Sequence, residues 1–216
     1  MSNEYSKRGM LLVLSGPSGV GKDTVWKEAT PCLGSFAKVT TCTTRARRLG
    51  EEEGIHYFFV SDSEFDRMIA QDELLEWALV NGNRYGVPVS SVTNRLNRGG
   101  DVVCIIEVQG ALKIRYLFPD SLLVFLKPPP GRETEVLKSR IEKRGTENSQ
   151  QIATRLQTAS WEMTQSAHYD YEIVNDEIEE TANRLCDIIT REKKRRQDGQ
   201  ALAPRESSTR RTEEAI

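Results

Sequence analysis

Apolar positions along this chain follow two rhythms, short unbroken runs and helical spacing, and the two alternate from Gly9 to Thr190. Met10-Leu11-Leu12-Val13-Leu14 predicts a buried strand, and Asp23 to Thr30 a helix stopped by Pro31. Phe36 to Thr43 is β-branched and predicts a strand, as does Tyr57 to Val60, with the charged stretch Arg45 to Gly54 as a loop between them. Ser61-Asp62-Ser63-Glu64 has capping-box spacing and opens a helix whose Phe65, Met68 and Ile69 share one face. Leu74 to Val80 is short and apolar, and Gly82 and Gly86 predict turns around Asn83-Arg84-Tyr85. Pro88 starts a helix carrying Val89, Val92 and Leu96, which stops at Gly99-Gly100.

The second half repeats the alternation. Asp101 to Val108 is a nearly continuous apolar run, the pattern of a strand covered on both faces. A helix from Ala111 to Leu117 and a second such strand from Leu122 to Leu126 follow, and Pro128-Pro129-Pro130 closes that strand. Helical spacing resumes at Val136, Leu137 and Ile141, breaks at Gly145-Thr146-Glu147-Asn148, and returns at Ile152, Leu156, Ala159 and Met163. Tyr171 to Val174 predicts a last strand and Ile178 to Thr190 a last helix. Strands alternating with helices in this way predict an α/β three-layer sandwich around a parallel central sheet, with ligands at the carboxyl ends of its strands.

Beyond Arg191 the rhythm is lost. Residues 191–216 hold eight Lys/Arg against five Asp/Glu with few apolar groups, and read as a disordered tail. The whole chain of 216 residues has a formal charge of −2, which excludes a broadly basic nucleic-acid binder. No apolar run is long enough to span a membrane, and Met1 to Arg8 has no apolar signal core. Cys32, Cys42, Cys104 and Cys186 form no C-x-x-C pair and read as small buried hydrophobes in a reducing cytoplasm. With only His56 and His168, a histidine metal site is not predicted.

The chemistry begins where the first strand ends. Gly16-Pro17-Ser18-Gly19-Val20-Gly21-Lys22-Asp23-Thr24 follows a strand and precedes a helix, the context of a phosphate-binding P-loop. Its glycines allow a nest of N–H groups, the helix aims its positive end at the same point, and Lys22 can reach β- and γ-phosphates. Asp23 stands where Ser or Thr normally closes the motif. Its carboxylate repels a triphosphate unless Mg²⁺ intervenes or the side chain turns away, and Thr24 stays available for phosphate contact. A P-loop alone says only that a nucleoside triphosphate binds. Three further groups narrow this: Thr41 to Arg48 with its hydroxyls and three arginines, Glu76-Trp77 ahead of Gly82-Asn83-Arg84-Tyr85-Gly86, and Arg140, Arg144 and Arg155 around Gly145.

In these stretches the chain resembles the guanylate kinases, which phosphorylate GMP with ATP. The resemblance runs through the P-loop, Thr43-Thr44-Arg45, Tyr57-Phe58-Phe59, Leu75-Glu76-Trp77-Ala78, Gly82-Asn83, Tyr85-Gly86, Val108-Gln109-Gly110-Ala111, Arg144-Gly145-Thr146-Glu147 and Val174-Asn175-Asp176. It implies a core of residues 9–40, 98–127 and 160–190, a small mixed GMP-binding lobe at 41–97 and a helical lid at about 128–159, within a domain of 9–190 after an extension of 1–8. It implies an enzyme acting on ATP with GMP or dGMP and Mg²⁺ in the cytoplasm, with the metal held mainly by nucleotide phosphates. No nucleic acid or membrane partner is implied.

By the same resemblance, Gly16 to Thr24 and Asn175 bind ATP, and Lys22, Arg140, Arg144 and Arg155 are catalytic. Thr41, Arg45, Arg48, Tyr57, Glu76, Tyr85 and Glu107 bind GMP. The chemistry of each suits its role. Arg45 and Arg48 can fork onto a phosphate. A carboxylate at Glu76 can accept from guanine N1–H and the N2 amino group, a pattern that adenine lacks. The chain departs from the family at Asp23, at Thr41 (often Ser), at Val87 (usually Ser or Thr) and at Ile105 (usually acidic). Glu107, two residues beyond Ile105 and on the same strand side, is expected to carry the remaining acidic role. A phosphopeptide-binding module built on the same fold, or a kinase for another phosphorylated acceptor such as a ribose bisphosphate, are the competing readings. Lys22, Arg144 and the complete glycine loop weigh against the first, and Glu76 beside the Thr41 and Thr43 hydroxyls against the second.

Overall fold

The computed structural model describes residues 8–80, 82–143 and 149–200. β1 (Leu11–Ser15) lies at the centre of a five-stranded sheet, with β7 (Val102–Ile105) and β8 (Leu122–Lys127) paired parallel on either side. β2 (Ala37–Lys38) and β9 (Tyr171–Val174) complete the order β2-β7-β1-β8-β9, all parallel. Side chains alternate along β1, so it feeds two cores. Leu12 and Leu14 pack with Val25, Ala29 and Leu33 of α1 (Lys22–Leu33) and with Leu185, Ile188 and Ile189 of α7 (Ile178–Gln197). Leu11 and Val13 face the other way, toward Val92 and Leu96 of α3 (Val89–Asn97) and Ala111 and Ile114 of α4 (Val108–Leu117). The three-layer α/β sandwich predicted from the apolar rhythm is present.

A second sheet has the order β4-β3-β6-β5, built from β3 (Cys42–Thr43), β4 (Phe58–Phe59), β5 (Leu74–Val80) and β6 (Asn83–Pro88). β3 and β4 are parallel, while β6 is antiparallel to both β3 and β5. α2 (Asp62–Ala70) covers it with Phe65 and Met68, packed on Cys42 and Leu74. Ser61 caps this helix by accepting the Glu64 N–H, as its spacing predicts. α5 (Glu133–Glu142) and α6 (Ser149–Thr164) stand over the carboxyl edge of the main sheet, and a short 3-10 turn (Gln165–His168) leads from α6 toward β9.

Several boundaries differ from the sequence reading. Phe36 to Thr43 is not one strand: its two ends join different sheets, with β2 on β7 and β3 on β6. The segment read as turns around Asn83-Arg84-Tyr85 is the strand β6, turned only at its start, where Gly82 has φ 77°. Pro31 does not stop α1. It sits in the final turn, where its missing N–H removes one bond, and Gly34 at φ 69° ends the helix. Glu107 is not on a strand: β7 ends at Ile105, and Glu107 is the N-cap of α4. Arg155 lies in the middle of α6, which runs unbroken to Thr164.

The charged segment after Arg191 also departs from expectation, because α7 continues to Gln197. Glu192 is fully buried and accepts from Tyr171 Oη at 2.6 Å, and Lys193 pairs with Asp101 at 2.6 Å while lying over the Phe36 ring. Long side chains cover apolar surface with their stems and keep their charged ends wet, so charge density here does not mean disorder. The cysteines divide. Cys42 and Cys104 are buried thiols as expected, whereas Cys32 of α1 and Cys186 of α7 are joined by a disulfide, their Cα atoms 6.3 Å apart.

Candidate functional site

The glycine loop lies at the carboxyl end of β1. Gly21 has φ 100°, and a Cβ there would stand 2.8 Å from Asn175 Nδ2, so conformation and space both require glycine. Lys22 opens α1 and folds back over the loop, donating to the Gly16 carbonyl at 2.7 Å and to Glu107 Oε2 at 3.2 Å. Asp23 turns away from the loop and pairs with Lys38 of β2 at 3.1 Å. Of the two alternatives at Asp23, the side chain turns away from the loop, toward a lysine on the edge strand β2.

The loop is braced from outside. Asn175 Nδ2 donates to the Val20 carbonyl at 2.6 Å, and Asn175 Oδ1 accepts from Thr181 Oγ1, so both ends of this amide are engaged in holding the loop to α7. Arg140 of α5 donates to the same Val20 carbonyl at 2.8 Å and to the Asn175 carbonyl at 3.1 Å. Arg155 of α6 donates to Ser18 Oγ at 3.0 Å. Two of the arginines expected from the resemblance therefore reach the loop, where they hold backbone and hydroxyl. Arg144 lies outside the described residues.

On the second sheet, β3 leads directly to Arg45, β4 is preceded by Tyr57, and β6 carries Tyr85. These three side chains meet: the Tyr57 and Tyr85 rings are 5.9 Å apart, and the Arg45 guanidinium sits over the Tyr57 ring at 5.4 Å. Glu51 completes the group. Its Oε1 takes Arg45 Nη2 at 2.7 Å and its Oε2 takes the Arg48 backbone N–H at 2.8 Å, so one carboxylate fixes both arginine positions of the loop. Hydrogen bonding to Arg45 holds the Glu51 carboxyl below its ordinary value. Glu51 was not singled out from sequence, where it is one of three consecutive glutamates. Thr41 precedes β3, with its carbonyl accepting from Phe58 N at 3.0 Å. Val87, where the family usually has a hydroxyl, is buried in the core with Leu75 and Val92 and offers no polar group.

Glu76 of β5 lies against the start of α4. A Cβ on Gly110 would be 2.3 Å from Glu76 Oε2, so the carboxylate rests directly on the glycine backbone of the first helical turn. Burial pushes Glu76 up to about 8, the Glu107 charge adds to this, and Lys22 and the Glu107 backbone N–H oppose it. Glu107 therefore links the two halves, touching Lys22 on one side and Glu76 on the other. Ile105, the other departure from the family, packs against the core beside α1.

A third carboxylate enters from α6. Glu162 is 4% exposed, its Oε2 accepts the Ser18 N–H at 3.2 Å, and its carboxyl lies near that of Glu107, whose charge raises it. Its sequence context, between Trp161 and Met163 on an amphipathic helix, carries no motif. The only signal was its spacing of seven from Arg155, which places both on one helical face. Among the described residues no group of three or more acidic, histidine or cysteine side chains is arranged to hold a metal ion. Mg²⁺ carried on nucleotide phosphates would draw most of its ligands from those phosphates and from water.

Comparison with known proteins gives the family and the fold. A family model described as guanylate kinase matches residues 8–192. A guanylate kinase of Desulfitobacterium hafniense (strain Y51) is 46% identical over 86% of this chain and 91% of its own length. One from Halalkalibacterium halodurans is 44% identical over 86% of this chain and 90% of its own. The crystal structure of guanylate kinase from Anaplasma phagocytophilum superposes with a TM-score of 0.62 at 34% identity, covering 87% of this chain and 88% of that one.

Proposed function

The chain belongs to the guanylate kinase family, and from that premise we propose that it transfers the γ-phosphoryl group of ATP to GMP, and to dGMP, giving ADP and the nucleoside diphosphate. The observation that carries this reading is the continuity of the site. Lys22 of the triphosphate loop, Glu107 and Glu76 form one chain of contacts that joins the loop to the lobe bearing Arg45, Tyr57 and Tyr85.

Phosphoryl transfer needs little covalent help from protein and much alignment. In this reading the N–H groups of Gly16 to Thr24 and the start of α1 cradle the triphosphate, and Lys22 exchanges its bonds to Gly16 and Glu107 for phosphate oxygens. Arg45 and Arg48, with the Tyr57 and Tyr85 hydroxyls, hold the acceptor phosphate, and Glu51 keeps the arginines in place. Glu76, assisted by the Thr41 hydroxyl, reads the guanine edge. Arg140, Arg144 and Arg155 belong to a lid that turns toward the migrating group when both nucleotides are bound, and Asn175 supports the loop at the adenine side. Mg²⁺, carried on the nucleotide, shields the β- and γ-phosphate charge.

Neither competing reading gains from a particular observation. A phosphopeptide-binding module has no use for a braced loop with Lys22 poised at its mouth, and a ribose bisphosphate offers nothing for a half-buried Glu76 to recognise. No helix among the described residues is long and apolar enough to cross a membrane, and a cytoplasmic setting fits purine nucleotide metabolism. An assay of ADP release with GMP, dGMP, AMP, CMP and UMP tests the proposal. GMP and dGMP support turnover and the other three do so poorly; no stimulation by GMP refutes it.

A further inference from the structure

Ser18 is held at two points by one face of α6: Arg155 Nη1 donates to its hydroxyl at 3.0 Å, and Glu162 Oε2 accepts its backbone N–H at 3.2 Å. Arg155 and Glu162 are two helical turns apart, so the helix presents a cation and a carboxylate to the same residue. The carboxylate is 4% exposed, which is rare for an acid unless its charge or proton is engaged. It has such partners: the Ser18 amide, and the Glu107 carboxylate that also holds Lys22. Burial first, then the Glu107 charge, pushes Glu162 up to about 7, while Lys22 and the Ser18 N–H oppose the rise.

We propose that Glu162 is a positioning residue for the donor nucleotide: it fixes the phosphate-binding loop onto α6 through the Ser18 N–H and holds the Glu107 carboxylate where it orients Lys22. The inference rests on the proposed kinase reading and deepens it. Without this carboxylate, Ser18 keeps only the hydroxyl contact to Arg155 on α6, and Glu107 loses its buried neighbour. The loop then has to be ordered by the nucleotide itself, so binding of the donor suffers far more than binding of the acceptor, which Glu162 reaches only indirectly through Glu107.

Glutamine separates this role from a packing role. Its amide can accept the Ser18 N–H and donate to Glu107, so Glu162→Gln retains both positioning contacts, whereas Glu162→Ala retains neither. Steady-state kinetics of the wild type and both variants, each checked for a native melting transition, give the test. The expected result for Glu162→Ala is a KM for ATP raised about tenfold or more, with the KM for GMP changed less than about twofold. For Glu162→Gln the expected KM for ATP lies within about threefold of wild type. An equal rise in both KM values, no rise in the alanine variant, or a glutamine variant as impaired in ATP binding as the alanine variant would overturn the proposal. If the alanine variant does not fold, the glutamine variant decides alone: a KM for ATP raised tenfold in a folded protein contradicts it. Failure of the kinase reading is seen separately, as absence of GMP-dependent turnover in the wild type.

Discussion

Glu76 lies so close over Gly110 that a single added carbon at residue 110 would sit 2.3 Å from its carboxylate oxygen. A glycine in a helix usually costs stability, yet here it leaves room for a half-buried acid to rest against the start of α4. Gly110→Ala therefore strikes the guanine site selectively. The expected result is a KM for GMP raised at least tenfold with the KM for ATP nearly unchanged, and a folding loss of about 1–3 kcal/mol from overpacking. Steady-state kinetics with each nucleotide varied in turn, together with urea unfolding, check this.

The protonation of Glu76 sets the direction of a pH effect. Its carboxyl, displaced from an ordinary value of 4.5 to about 8, is mostly neutral at pH 7, and guanine recognition needs the carboxylate. Selectivity for GMP should therefore improve as pH rises toward 8, with kcat/KM for GMP increasing by up to about tenfold per pH unit below it. Glu76→Gln should flatten this limb and narrow the preference for GMP over AMP. The free protein follows the opposite trend. Between 4.5 and 8 the folded chain holds a proton that the unfolded chain has released, so this group's contribution to stability is full below 4.5 and is lost as pH rises toward 8.

Lys38 neutralises the acid that interrupts the P-loop consensus. The pair is exposed, so its direct contribution to folding is small, but its removal frees a negative charge next to the triphosphate site. Lys38→Ala should raise the KM for ATP by about two- to fivefold at low salt, less at high salt, and Asp23→Ser in the same chain should cancel the effect. Additive effects of the two substitutions would contradict the pairing.

Ending the chain at Thr190 removes Glu192 from Tyr171 and Lys193 from Asp101. Because a buried phenol loses its partner and a length of α7 is deleted, unfolding should show a loss of about 2 kcal/mol or more. An unchanged denaturant midpoint would place these residues outside the folded unit.

The sequence reading succeeded where information is local. β1, β7 and β8 are buried on both faces and so appear as unbroken apolar runs, and the glycine loop follows from its spacing alone. It failed where pairing decides. β6 contains glycine and proline and is a strand because β3 and β5 flank it, a fact absent from its own residues. The last turns of α7 look like a solvated tail because their lysines and arginines hide the apolar surface beneath them. In the site, the residues proposed to touch nucleotide and three that brace the loop, Arg140, Arg155 and Asn175, stand in motifs, but Glu51, Lys38 and Glu162 do not. Glu51 is hidden in a run of three glutamates, and the other two act between distant elements: Lys38 is 15 residues from Asp23, and Glu162 is 144 from Ser18.

The central claim, that the phosphate loop and the Arg45–Glu76 lobe form one phosphoryl-transfer site, is tested most directly by product stoichiometry. With ATP and Mg²⁺ in excess, both nucleoside diphosphates are quantified by chromatography as GMP is added. The account predicts one GDP formed for each ADP, with almost no ADP when GMP is withheld. ADP appearing without GDP, or GMP bound without turnover, would contradict it.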